Sequence, residues 1–174
     1  MRKFLVGFVA VLGAALAVTA AAQEKINLSI ATGGTGGVYF PLGGGLADLI
    51  TENIEGYTAT AEETNASVDN MNLIGSGESD IAFVLGDTAS DPAAGAGEFE
   101  GSAIDACTLG ILYTNFTQLV ASADSGITTV ADLEGMRVSM GEAGSGTEII
   151  GLRVLEAAGL DPNADIERAQ LGVA

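Results

Sequence analysis

From residue 26 onward the chain alternates between short apolar runs and helical periodicities. Ile26-Asn27-Leu28-Ser29-Ile30-Ala31 alternates apolar with polar positions and carries β-branched residues, which predicts a strand. After a glycine-rich loop at Thr32–Gly37, Leu42, Leu46, Leu49 and Ile50 recur at helical spacing and predict a helix over Val38–Asn53. That helix contains Gly43-Gly44-Gly45. Glycine inside a helix costs about 1 kcal/mol against alanine, so the helix needs tertiary support. Tyr57–Glu62 reads as a second strand, Thr64-Asn65-Ala66-Ser67 as a turn and N-cap, and Val68–Ile74 as a short helix closed by Gly75-Ser76-Gly77. Asp80–Leu85 is nearly all apolar, as expected of a parallel strand covered on both faces. Thr88–Gly97 reads as a weak helix.

The second half repeats the alternation. Ala106–Ser122 is apolar and β-rich, too long for one ordinary strand, and reads as two strands or as one strand crossing between lobes. Within it Cys107 reads as a small buried hydrophobe. Val130–Leu133 is a helical turn stopped by Gly135, Arg137–Met140 a strand and Gly141–Gly146 a second glycine loop. Thr147–Ala158 is an amphipathic helix (Ile149, Ile150, Leu152, Val154, Leu155), closed by Gly159 and Asp161-Pro162. Ile166–Leu171 starts another strand. Such alternation predicts an α/β fold with a parallel sheet. The second β-α-β unit is half built at Ala174, which reads as a chain cut short.

The first 22 residues stand apart. Met1-Arg2-Lys3 is basic, Phe4–Val18 is apolar and Ala20-Ala21-Ala22 offers small residues for cleavage before Gln23. This is the pattern of a secretory signal peptide, and its apolar run is shorter than a membrane span. A periplasmic destination follows. The remaining chain is strongly acidic, with Lys25, Arg137, Arg153 and Arg168 as its only basic residues against 23 Asp and Glu. No basic stripe exists to track phosphates, which excludes nucleic acid as a partner. With no histidine and one cysteine, a Ser-His-Asp triad, a Cys-His dyad, a His-ligated metal and a disulfide are also excluded, and no cofactor is expected.

Each glycine loop joins a strand to a helix. Ligands of open α/β sheets bind beyond the carboxyl ends of the strands, where glycine lets backbone N–H groups approach an anion at a helix N-terminus. Such a loop holds a carboxylate without Lys or Arg. The other reading is two tight turns that need positive φ. Neither loop carries a P-loop or a dinucleotide fingerprint: Tyr39 stands where the latter needs its last glycine. Asn65-Ala66-Ser67 is a third candidate, or a simple N-cap. Asp87, after the third strand, either accepts from a ligand ammonium or caps the next segment.

Ala31-Thr32-Gly33-Gly34-Thr35-Gly36-Gly37-Val38-Tyr39-Phe40-Pro41-Leu42-Gly43 resembles the TAXI family of solute receptors for TRAP (tripartite ATP-independent periplasmic) transporters. Further blocks agree in the same order: Asn65–Asn70, Gly77–Ala82, Leu112-Tyr113, Asp132–Ser139 and Gly144–Glu148. The resemblance covers residues 26–160. It implies a type II periplasmic-binding-protein fold, two hinged lobes that close on a ligand. Here residues 23–115 would be the first lobe and 116–174 the start of the second. It also implies a small carboxylate ligand (a glutamate-like amino acid, dicarboxylate or oxo acid) and a TRAP membrane permease as partner. By position, Thr35, Gly36, Gly37, Val38 and Tyr39 with Asn65 and Ser67 would be the first-lobe contacts. Ser145, Gly146 and Thr147 would be those of the second lobe, and Tyr113–Gln118 a crossing between lobes. The sequence thus reads as a binding protein rather than an enzyme. The alternatives are a receptor for an ABC importer or a sensor, and a periplasmic enzyme built on a carboxylate pair.

Overall fold

The computed structural model describes residues 25–173, so the signal-peptide reading of residues 1–22 lies outside the described residues. Two parallel sheets carry the chain. The first has the order β2-β1-β3, with β1 at Ile26–Ala31, β2 at Tyr57–Glu62 and β3 at Ile81–Ala82. The second pairs β4, Arg137–Gly141, with β5, Glu167–Gln170, through an irregularity between Ser139 and Gly141. The helices are α1 (Tyr39–Asn53), α2 (Ser67–Ser76), α3 (Gly86–Ala94) and α4 (Gly146–Ala157). This is the α/β alternation that the periodicity predicts. No helix among the described residues is long and apolar enough to cross a membrane.

β1 lies between β2 and β3: the connection through α1 runs from β1 to β2 on one side, and that through α2 runs from β2 back past β1 to β3 on the other. The carboxyl end of a strand at such a reversal opens into a crevice, and the loops after β1 and β3 flank it. Ile30, Ala47, Ile50 and Phe83 form the first core. Leu133, Met140, Leu155 and Leu160 form a second around β4 and α4. A third cluster of Val68, Met71 and Phe99 receives Ile149 from α4, so apolar packing joins the two sheets.

On α1 the buried stripe is Gly43, Ala47 and Ile50, whereas Leu42 and Leu49 are exposed. The helix lies so close to β1 that a glycine, not a leucine, faces the sheet. Of Asp80–Leu85 only Ile81 and Ala82 pair as a strand. The segment that precedes the 3₁₀ turn at Val130–Leu133 departs most from expectation. Ala106–Ser122 forms no strand, and Asp105–Ala121 make no main-chain hydrogen bond with one another or with other described residues. Cys107 is exposed, not buried. β-branched and aromatic residues favour a strand only beside a neighbour to pair with, and among the described residues no strand pairs with this segment. It still passes from the first sheet to the second: Ile104 packs on the Val68 cluster, and Thr117–Leu119 flank β4. The 3₁₀ turn that follows is closed by a capping box between Thr129 and Asp132. N–H groups of Thr128 and Thr129, helped by both hydroxyls, hold the exposed Asp132 carboxyl at about 2.

Candidate functional site

The first glycine loop follows β1, and close approach rather than turn geometry explains its glycines. Gly33, Gly34 and Gly37 all stay out of the left-handed region. A Cβ on Gly34 would meet the Val173 carbonyl oxygen, and one on Gly37 would lie 3.4 Å from the Val173 side chain. The Gly36 N–H donates to that same carbonyl, 3.3 Å away. The second glycine loop does need special geometry: Gly141 (φ 88°) and Gly144 (φ 78°) are left-handed. The reading of a tight turn that needs positive φ therefore holds for the second loop and not for the first.

A seam runs between the halves. Across it the Gly144 carbonyl accepts from the N–H groups of Val68 and Asp69, at 3.1 and 3.3 Å, in the first turn of α2. Gly146 packs directly on Ser67 and Leu85. Arg153 of α4 reaches Asp87 (3.1 Å) and Asp91 (2.5 Å) on α3. The second half thus covers the N–H donors of the first with its own main-chain oxygens.

The predicted site residues sort accordingly. Tyr39, Ser67 and Asp87 come together with Tyr113 at the crevice. Burial, with Tyr113 next, pushes the Tyr39 phenol up to about 12, so it remains a neutral hydrogen-bond donor at physiological pH. Its ring packs on Phe83 with centroids 5.5 Å apart. Ser67 is buried and its hydroxyl accepts from the Leu85 N–H. Asp87 is bound to Arg153 rather than free for an ammonium. Thr35 and Val38 are exposed on the loop, and the Thr35 N–H points to Glu63 at 3.4 Å. Asn65 does not cap α2. Ala66 holds that position at φ 72°, and the Asn65 N–H donates to the Asp69 carboxylate. Ser145 caps α4 by accepting from the Glu148 N–H, Gly146 is buried in the seam, and Thr147 is exposed.

Two residues of consequence escape the sequence reading. Asn70 is fully buried beneath the crevice. Glu148 is a buried carboxylate that accepts from the Gly144 N–H, Arg168 and Gln170. The Ser-x-x-Glu spacing of Ser145 and Glu148 was its signal, the pattern of a capping box. Glu148 borders a cleft of about 400 Å³ shared by Val68, Glu98, Ile149 and Leu152. Burial works to raise its pKa, but the bonds from Gln170, Gly144 and Arg168 outweigh it and hold the carboxyl below its ordinary value. The folded protein therefore releases this proton more readily than the unfolded chain. The stabilisation is whole above the unfolded value and lost as pH falls through the folded one. Glu148→Gln should cost about 1–3 kcal/mol at neutral pH, and the gap in melting temperature from the parent should close on acidification. Melting curves from neutral pH downward check this; a gap that is constant with pH would refute it.

Among the described residues every arginine is ion-paired: Arg137 with Glu167, Arg153 with Asp87 and Asp91, Arg168 with Glu148. Among the described residues no group of three or more acidic or Cys side chains is placed to hold a metal ion. What the crevice offers is N–H groups and neutral hydroxyls, which suit the oxygens of a small anion.

Residues 30–174 match the NMT1-like family, and the chain belongs to that family. Its fold is that of periplasmic binding protein lobes. It aligns with the alkanesulfonate-binding protein SsuA from Xanthomonas axonopodis pv. citri, bound to MOPS, at a TM-score of 0.52 and 22% identity, over 85% of this chain and 48% of that one. The periplasmic aliphatic sulphonate binding protein SsuA from Escherichia coli aligns at a TM-score of 0.45 and 22% identity, over 84% of this chain and 47% of that one. The chain spans about half the length of these structures.

Proposed function

We propose that this NMT1-like chain belongs to an extracytoplasmic solute-binding protein that takes a small solute with an anionic head, a carboxylate or sulfonate, into the seam. It is a binding protein and not an enzyme. The observation that carries this reading is the pair of main-chain oxygens, from Val173 and Gly144, seated on N–H donors of the first half. An oxyanion presents the same kind of acceptor to the same donors. On entry its oxygens replace those carbonyls, while the Tyr39 and Ser67 hydroxyls and the α4 terminus at Ser145–Thr147 complete the contacts. Glu63 at the rim repels a second unbalanced negative charge, which favours a ligand that also carries an ammonium.

The fold shared with an alkanesulfonate-binding protein supports a receptor for an ABC importer as the partner reading. A TRAP permease is the second reading, favoured by the Ala31–Gly43 block. Uptake in vesicles carrying either transporter separates them: one requires ATP, the other an ion gradient. The basic and apolar character of residues 1–18 supports a periplasmic location.

Titration with L-glutamate, succinate, taurine and MOPS tests the ligand class. A ligand at 100 times its Kd stabilises by about 2.7 kcal/mol, enough to raise the melting temperature visibly. Tyr39→Phe should weaken that ligand about tenfold, the value of one hydrogen bond, with little change in the unliganded melting temperature. Ser67→Ala should weaken it to a similar degree and also lower the unliganded melting temperature, because the Leu85 N–H loses its acceptor. No response to any of the four solutes, or affinity untouched by both substitutions, would overturn this assignment of the site.

A further inference from the structure

Asn70 lies on α2, one turn after Ser67. It has no exposed surface. Its Nδ2 donates to the carbonyl of Thr32, just past β1, at 2.7 Å. The same Nδ2 donates to the carbonyl of Phe83, just past β3, also at 2.7 Å. Its Oδ1 accepts from the hydroxyl of Thr64, just past β2. Thr64 in turn accepts from the N–H of Ala66, the left-handed residue that starts α2. One side chain thus ties together the exits of all three strands of the first sheet, where each crevice loop departs.

We infer that Asn70 is the positioning residue of this site: it sets the three crevice loops in one register, so that the donors of Gly36, Ser67 and Tyr39 face the seam together. The inference rests on the binding reading above for its functional meaning, but the geometry stands without it. β3 has only two paired residues, and past it the Phe83 N–H donates to the Ala31 carbonyl and the Leu85 N–H to the Ser67 hydroxyl. The Asn70 bond to the Phe83 carbonyl adds the tie that links this exit to those of β1 and β2. Phe83 is also the ring on which Tyr39 packs, so the tie reaches the phenol itself. An amide suits this place because it donates twice and accepts once in one plane. A carboxylate would turn acceptors toward two carbonyls, and leucine would leave both carbonyls without a donor.

The test uses amide hydrogen exchange with the second sheet as internal reference, on Asn70→Leu, Asn70→Asp and Thr64→Val. Asn70→Leu and Asn70→Asp should raise exchange at least tenfold in the loops at 33–38, 63–66 and 84–86 together, with β4 and β5 unchanged. Tyr39 should then ionise at lower pH, nearer an ordinary phenol. Thr64→Val removes only the β2 tie and should loosen 63–66 alone, so it keeps the question open to decision if the Asn70 variants fail to fold. Uniform loss of protection across both sheets, or loosening of α2 alone, would overturn the inference and leave Asn70 an ordinary core residue. Titration of the same variants with taurine and L-glutamate separates the two readings. If the parent binds neither, the ligand assignment suffers while the exchange pattern still decides the role of Asn70. If it binds, Asn70→Leu should lose at least tenfold in affinity, and unchanged affinity would count against positioning.

Discussion

Gly43→Val should destabilise the protein by about 3 kcal/mol, a fall of roughly 10 °C in melting temperature for a domain of this size. The reason is one contact. A Cβ at Gly43 would sit 2.4 Å from Cγ2 of Thr32, with Ala61 and Phe83 at 3.5 and 3.6 Å behind it. Thr32 cannot step aside, because it is fully buried and its hydroxyl donates to the Glu62 carbonyl. Any outward shift of α1 opens the core between Ile50 and Ile30. The neighbouring glycines are the control. Nothing lies within 4 Å of a Cβ at Gly44 or Gly45, so Gly44→Ala and Gly45→Ala should each stabilise by about 0.5–1 kcal/mol through helix propensity. Denaturant titration of the three variants checks the contrast, and three equal responses would refute it.

Gly146→Val should part the seam while leaving each sheet folded. A Cβ there would lie 2.7 Å from the Ser67 hydroxyl, 2.7 Å from a Leu85 methyl and 3.0 Å from the Ser67 Cβ. Leu85 can rotate away, but Ser67 is buried and bound to the Leu85 N–H. The α4 terminus must therefore retreat, which draws the Gly144 carbonyl off Val68 and Asp69. Exposed ion pairs such as Arg153 with Asp87 contribute about 0–1 kcal/mol and will not hold the halves against that wedge. We expect exchange at the Val68 and Asp69 amides to rise at least tenfold, the radius of gyration to grow and anion affinity to fall more than tenfold. Unchanged protection of those two amides would show that the seam accommodates the side chain.

These two glycines show why the site was only partly legible in the sequence. The triple glycine of α1 reads as three equal costs along the chain, yet Gly43 alone is required, because only the packed sheet shows which of the three faces Thr32. The first glycine loop was readable as an anion-friendly strand-to-helix turn. Its partner, the Val173 carbonyl, lies more than 130 residues away and has no local signal. Asn70 falls within the Asn65–Asn70 block, but an asparagine inside a helix carries no mark of its depth. Asp87 reads as a residue just after the third strand, whereas it lies in the first turn of α3, and its pairing with Arg153 depends on how α4 docks. Ala106–Ser122 misled because β propensity measures what a strand would do beside a neighbour.

The sequence by itself determined the α/β alternation, the bounds of β1 and β2 and the position of both glycine loops. These follow from side-chain periodicity and backbone freedom, which act over a few residues. Only the tertiary structure decided which glycine is indispensable, which carbonyls cover which donors, and that one buried amide joins three strand exits. Those facts depend on distances between residues far apart in the chain, set by how the sheets pack.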